Sequence, residues 1–239
     1  MDIDGISPRM LESGFYNMDC MDGMAQFPDK FFSLAIVDPP YGIGNWIQVT
    51  GEVNPNHGAV TWNEKSNRPG IEYFNELRRV SKNRIIWGAN YYPDAFEREN
   101  GAIVWDKGIA RETHYSVCEI ASQSFNRRVD CVRIRWLAAV DKKADDMIHP
   151  CSKPVALYKW LLSNYAKPGD KILDTHVGSA SSLIACHQMG FEYWGFELDT
   201  DYYNAATERL NKVKAQVSMT ELIEQVIPEQ VTIGGEYGH

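Results

Sequence analysis

The sequence predicts an α/β fold: a mostly parallel sheet with helices on both faces. Two observations carry this. Short apolar runs that end at an acid recur along the chain, as in Phe32 to Val37 before Asp38, Lys171 to Leu173 before Asp174, and Tyr193 to Phe196 before Glu197. Between them lie longer segments with helical spacing, and no repeat or low-complexity stretch interrupts the rhythm.

Arg84–Trp87 (R-I-I-W) and Ala102–Trp105 (A-I-V-W) read as two further buried strands. Helices are expected at about 70–81, 153–166, 179–189 and 199–215. Pro168-Gly169 stops the second of these before the next strand. In the last, Leu198, Tyr202, Ala205, Ala206, Leu210 and Val213 fall near helical spacing. Two stretches break the pattern. Gly42 to Arg68 is rich in Gly, Asn, Pro and Thr and holds Trp46, His57 and Trp62, as a functional or mobile loop would. Residues 106–148 read as part sheet edge, with Tyr115 to Ser124 strand-like, and part insertion. After Gln216 one further helix is expected over Thr220 to Val226.

Composition excludes several classes. Five scattered cysteines with no C-x-x-C pair argue against a disulfide framework and suit a reducing cytosol. Six histidines without ligand spacing argue against a catalytic metal. No apolar run approaches the roughly 20 residues of a membrane span, and Met1 to Arg9 has no signal-like apolar core, so a soluble cytoplasmic protein is expected. A net charge of −8 argues against non-specific coating of nucleic acid. Yet Lys107 to Lys143 carries eight basic residues against four acidic ones. That stretch is either a solvated face or a phosphate-contacting surface formed by Arg127, Arg128, Arg133 and Arg135.

Two constellations carry chemistry. Asp38-Pro39-Pro40-Tyr41 follows a buried strand, at the edge where open α/β sheets bind ligands. The prolines fix the turn and remove two N–H donors, leaving a carboxylate, carbonyl acceptors and an aromatic face. That set suits an exocyclic amine on a flat ring, with the tyrosine stacked on a flipped base; a plain proline-rich turn is the bland alternative. Asp174-Thr175-His176-Val177-Gly178-Ser179-Ala180-Ser181 joins a strand to a helix through small residues that let a ligand approach the backbone. Glu197 lies 23 residues past Asp174 at the end of the next strand, the usual place of a ribose-binding acid. Without a full G-x-G-x-x-G, S-adenosylmethionine fits better than a dinucleotide.

These motifs, in this order, resemble the amino-group DNA methyltransferases of the beta arrangement, from about Gly14 to Leu210. Asp38-Pro39-Pro40-Tyr41 is similar to the family's catalytic motif. His149-Pro150 through Lys153-Pro154, then Leu157-Tyr158 and Leu161, resembles its H-P-x-x-K-P helix start. Asp174 to Ser181 resembles its cofactor loop, D-P-F-x-G-S-G-T, with His176 for phenylalanine and Ala180 for the second glycine. Gly195 to Asp199 with Tyr202 resembles its ribose-binding segment, and Asn17-Met18-Asp19-Cys20 its early G-D element.

The resemblance implies a Rossmann-like S-adenosylmethionine-dependent methyltransferase fold with a seven-stranded sheet. It implies one catalytic domain at 1–215, with a mobile loop at about 42–68 and a short target-recognition insertion at about 106–148, then an extension at 216–239. The expected reaction is methyl transfer to N6 of adenine in double-stranded DNA. Asp38 and the Pro39 carbonyl would accept the amine's N–H groups, and Tyr41 would stack on the base. For the cofactor, Asp19 and Cys20 would lie near the adenine, Glu197 and Leu198 at the ribose, and Asp174, His176, Gly178 and Ser179 at the methionine end. Lys153 is the candidate for the methionine carboxylate. A homodimer would extend the footprint on DNA, and no nuclease motif or restriction partner is visible. N4-cytosine methylation uses the same chemistry, although Asp at the first catalytic position favours adenine and Ser cytosine. An RNA- or protein-amide methyltransferase, the latter usually with Asn at that position, and a non-catalytic DNA-binding relative with a decayed cofactor site are the other readings.

Overall fold

The computed structural model describes residues 10–42, 68–95, 101–112, 116–136 and 152–226, with side chains as far as 216. Eight strands form one mixed sheet: β1 (Gly14–Asn17), β2 (Phe32–Val37), β3 (Ser81–Trp87), β4 (Gly101–Asp106), β5 (Cys118–Gln123), β6 (Val129–Arg133), β7 (Lys171–Asp174) and β8 (Glu192–Glu197). Their order is β1-β8-β7-β2-β3-β5-β4-β6. All pairs are parallel except β3/β5 and β4/β5. The expected seven strands become eight. The additional pairing lies at the margins, where β1 and β6 read weakly in sequence: Gly-Phe-Tyr-Asn and Val-Asp-Cys-Val-Arg lack an apolar run.

The helices are α1 (Cys20–Met24), α2 (Ile71–Val80), α3 (Val155–Tyr165), α4 (Ser181–Gln188) and α5 (Thr200–Val226). The last merges the two helices expected at 199–215 and 220–226 into one. None of the helices among the described residues is long and apolar enough to cross a membrane.

Alternation along the central strands divides the core in two. Leu34, Ile36, Ile85, Trp87 and Ile172 face one side and pack with Leu157 and Leu161 of α3, Leu183 and Ile184 of α4, and Ala206 and Leu210 of α5. Ala35, Val37, Ile86 and Leu173 face the other side, against Met24 of α1 and Tyr73, Phe74 and Leu77 of α2. Both faces of the sheet are therefore covered, which explains why its central strands read as continuous apolar runs.

The chain leaves β2 and β7, neighbours at the centre, in opposite directions. From β2 it crosses through α2 to β3 on one side; from β7 it crosses through α4 to β8 on the other. Crossovers that diverge in this way leave a crevice beyond the carboxyl ends of the two strands. Asp38 stands one residue past the end of β2, and Asp174 closes β7. The loop at 43–67, with Trp46, His57 and Trp62, lies outside the described residues, as do His149 and Pro150. Of the segment expected as an insertion, β5 and β6 belong to the main sheet.

Leu161 is fully buried between α3 and the sheet. Leu161→Ala should lower the unfolding free energy by about 2–5 kcal/mol, read from the urea midpoint at unchanged slope.

Candidate active site

The Asp38-Pro39-Pro40-Tyr41 turn is held by hydrogen bonds to the Asp38 carboxylate, the Tyr41 hydroxyl and the Pro39 and Pro40 carbonyls. The Tyr41 hydroxyl donates to Asp38 Oδ1 at 2.6 Å. The Lys153 ammonium pairs with Asp38 Oδ2 and lies 3.2 Å from the Tyr41 oxygen. Tyr92, buried between the two 3-10 turns after β3 (Ala89–Tyr91 and Pro93–Ala95), places its hydroxyl 2.7 Å from the Pro39 carbonyl and 2.5 Å from that of Pro40. One phenolic proton serves two carbonyls, so acceptor capacity remains on both. The Tyr41 ring stacks on Tyr91 with centroids 5.0 Å apart. It lies directly against Gly88, where an added Cβ would fall 2.2 Å from the ring and where φ is +68°. Glycine is the residue that meets both demands.

Lys153 stands just ahead of α3 and is buried. Its ammonium reaches Asp38 and, at 3.1 Å, Glu119 Oε2. The structure thus commits it to these two carboxylates, where the sequence suggested the methionine carboxylate of the cofactor. Burial works against its charge, but Asp38 and Glu119 more than offset that and raise its pKa. Burial also raises the Tyr41 phenol well above its usual range, reinforced by Asp38 and Glu119, so it remains a proton donor.

On the other side of the crevice, Asp174 is buried. It receives the Ser182 hydroxyl and, at 3.0 Å, the His176 N–H. Burial lifts its carboxyl to about 7, with Asp38 and Glu197 adding repulsion. The same field therefore joins the ends of β2, β7 and β8. Glu197 accepts the Gly178 N–H at 2.9 Å and the Asp199 N–H at 3.0 Å, which fixes its carboxylate and leaves each oxygen further acceptor capacity. Gly178 has φ +54°, and a Cβ there would meet nothing within 4 Å, so the turn opens onto free space.

Ala180 sits at φ +63° ahead of α4, a left-handed position that costs a non-glycine residue about 1–2 kcal/mol. Its methyl is fully buried in the core, which offsets part of that cost. Ser179 contributes its carbonyl to Arg209 at 2.6 Å and its hydroxyl to Ser181. Asp19 caps α1 by accepting the Met21 N–H at 2.7 Å. Beside it, burial and the Asp19 charge push the Cys20 thiol up to about 12, which makes it a poor nucleophile at neutral pH. Leu198 is exposed at the lip.

His176 is tied into a short chain. The Tyr73 hydroxyl lies 2.6 Å from Thr175 Oγ1, which lies 2.9 Å from His176 Nδ1. The Tyr73 and His176 rings meet edge to face. Burial lowers the imidazole to about 4, so it is neutral at physiological pH.

The four arginines expected at DNA are exposed on and around β6. Two share their charge with acids: Arg128 Nε meets Asp130 at 2.6 Å, and Arg133 Nε meets Asp106 at 2.7 Å. The structure adds Tyr92, Glu119, Lys107 and Tyr73, none of which the sequence marked for this site, and gives Thr175 a partner in Tyr73.

A family profile described as DNA methylase, of the N6/N4 type, matches residues 104–208. YubD of Escherichia coli (strain K12), a protein named as a putative methylase, is 26% identical over 218 residues, covering 84% of this chain and 92% of its own length. Among solved structures, a Thermus thermophilus protein named as a putative DNA modification methylase, in complex with S-adenosyl-L-methionine, superposes with a TM-score of 0.54 at 18% identity. It covers 83% of this chain and 95% of its own. The cytosine-N4-specific PvuII DNA methyltransferase superposes with a TM-score of 0.55 at 12% identity, covering 87% and 93%. The fold is that of the S-adenosylmethionine-dependent methyltransferases. The profile and the Escherichia coli relative both carry the name of a methylase, and DNA methylases are what the chain is similar to.

Asp174 and His176 oppose one another in their effect on stability. The Asp174 carboxyl, raised from 3.8 to about 7, favours the folded state at low pH, and that contribution is lost as pH rises through 7. The His176 imidazole, lowered from 6.5 to about 4, favours the folded state above 6.5, and that contribution is lost as pH falls toward 4. His176→Phe removes only the second effect. Urea midpoints should show the variant gaining on the wild type as pH falls from 7 to 4.5, by up to about 1.4 kcal/mol per pH unit.

Proposed function

We propose that the chain transfers a methyl group from S-adenosylmethionine to the N6 amino group of adenine in double-stranded DNA. The observation that carries this reading is the placing of Asp38, Asp174 and Glu197 at the ends of three neighbouring strands, around one crevice.

The residues on the cofactor side fit the donor by their chemistry. Asp174 is a buried carboxyl held by a hydroxyl and an amide rather than by a cation, as an ammonium group would want. Glu197 is a fixed carboxylate suited to ribose hydroxyls, and the Gly178 turn leaves room for a chain to pass close to the backbone. When bound, the donor supplies a methyl group on a cationic sulfur.

The lone pair of the N6 amine is delocalised into the purine ring, so the amine is a weak nucleophile. Asp38 accepts one of its N–H groups and the Pro39 carbonyl the other. The nitrogen is drawn toward a tetrahedral shape and its lone pair is localised for attack. As the N–C bond forms and the S–CH3 bond breaks, its electron pair would stay on a neutral thioether that leaves; positive charge grows on the nitrogen, the adjacent carboxylate stabilises it, and the surplus N–H proton is then lost to solvent. The base must leave the duplex to reach this turn. Asp38 already holds the Tyr41 hydroxyl and the Lys153 ammonium, and each oxygen keeps a lone pair for the incoming N–H. No covalent enzyme intermediate is required, consistent with the raised thiol of Cys20. Arg127, Arg128, Arg133 and Arg135 supply phosphate contacts from the β6 edge. The cytosine-N4 specificity of PvuII methyltransferase keeps N4-cytosine as the second reading; Asp at position 38 favours adenine.

Incubation with methyl-labelled donor and duplex DNA, followed by digestion to nucleosides, should yield N6-methyladenine. N4-methylcytosine would reassign the base, and unlabelled DNA would reject the reading. Asp38→Ala should lower transfer by at least about a hundredfold while calorimetric donor affinity changes little. Because binding of an ammonium favours ionised Asp174, donor affinity should rise as pH increases toward 7 and level off above it, and Asp174→Asn should flatten that rise.

A further inference from the structure

Four charged side chains meet beside the Asp38 turn: Asp38, Lys153, Glu119 and Lys107. Glu119, on β5, bridges two buried lysines: its Oε1 lies 2.6 Å from Lys107 and its Oε2 3.1 Å from Lys153. Lys153 continues to Asp38. Aromatic rings wall the cluster. The Lys107 ammonium lies 4.6 Å from the centroid of Trp136 and 5.5 Å from that of Trp105, and Lys153 lies 5.3 Å from Trp87. The Trp87 indole N–H is buried with no hydrogen-bond partner among the described residues. Burial opposes the charge on Glu119, yet Lys153 and Lys107 together hold its carboxyl below the usual range.

Buried ion pairs are seldom the most stable way to fill such a space; apolar residues of similar volume often do as well or better. The cluster therefore points to a task at the site. Methyl transfer brings a unit of positive charge onto the amine nitrogen. A neighbouring lysine whose charge was not offset would oppose this, since like charges at close range repel.

We propose that Glu119 is a positioning residue for methyl transfer: it neutralises and tethers Lys153, so that Asp38 stays oriented and keeps its negative charge available to the amine, while Lys107 anchors Glu119. This rests on the methyltransferase reading and extends it to a residue that acts through Lys153.

The test is Glu119→Gln, which keeps the shape and removes the charge. kcat should fall at least about tenfold, the scale of coupling within a charge network. The KM for DNA and the calorimetric donor affinity should stay within about twofold of wild type. Glu119→Asp, which restores the charge on a shorter stem, should recover part of the loss. Should stranded Lys107 prevent Glu119→Gln from folding, Glu119→Gln/Lys107→Met removes one charge of each sign and should fold with the same kcat defect. An unchanged kcat in either folded variant, or a parallel loss of donor affinity, would overturn the proposal. A second arm needs neither DNA nor donor: the titration midpoint of Lys153, followed by 15Nζ resonance, should drop in Glu119→Gln. If it does not move, the tether is rejected. If it drops while wild-type protein methylates no DNA, the tether stands, the methyltransferase reading fails, and the role assigned to Glu119 falls with it.

Discussion

The contact between Lys153 and Asp38 joins parts of the chain that lie far apart in sequence. Asp38 follows β2, and Lys153 precedes α3. Through Glu119 and Lys107 the same contact extends to β5 and the end of β4. A charge withdrawn from water must be matched by another at close range, or the group gives up its charge. The antiparallel extension of the sheet beyond β3 is thus tied to the acidic turn at its centre. β5 is inserted between β3 and β4, which brings Glu119 within reach of Lys153.

The opposite wall of the crevice is built on another principle. Around Asp38 the charges are matched by partners of opposite sign. Asp174 is held by hydroxyl and amide donors instead, and its carboxyl sits near neutrality. A site that already holds both signs is suited to orienting a neutral amine. A buried acid held only by neutral donors is suited to receiving a cation. The two halves of a group-transfer site are thereby distinguished by charge balance alone, and the divergence of the chain at β2 and β7 sets them side by side.

The central sheet was legible because β2, β3, β7 and β8 are buried on both faces over most of their length, which calls for apolar runs, while β4 buries every second residue. β1 was hidden: its four residues become a strand by pairing with β8, from Gly14 with Trp194 to Asn17 with Glu197. β6 was not singled out within 106–148, read as part sheet edge and part insertion, because its outward residues are exposed and Arg133 is paired only in three dimensions, with Asp106 across the strand. The acids at positions 38, 174 and 197 stood out because each ends an apolar run. Glu119 and Lys107 looked like members of a charged surface; nothing local marks a strand glutamate as the partner of a lysine 34 positions later. Tyr92 carried no sign at all, since its task is to place a hydroxyl on carbonyls some 50 residues earlier. Lys153 stood out, but its pairing with Asp38 and Glu119 did not, because a sequence shows that a cation is present and not which of several carboxylates it meets.

The departures in the loop after β7 follow the same physical logic. His176, where the family pattern has phenylalanine, still presents a flat ring, and its edge-to-face contact with Tyr73 is one a phenyl ring could make. What the imidazole adds is a nitrogen, and Thr175 meets it, with Tyr73 behind. Tyr73 is fully enclosed, so its hydroxyl needs a partner, and Thr175, where the pattern has proline, supplies one. The threonine, histidine and tyrosine are best understood as one exchange in which each polar atom is satisfied by the others. Ala180 is a different case. Its methyl has exchanged backbone ease for burial beneath α4, a trade open only where the space under the turn is apolar. Neither change intrudes on Asp174, Gly178 or Glu197, whose geometry is held by backbone N–H groups that any side chain at 176 or 180 would leave in place.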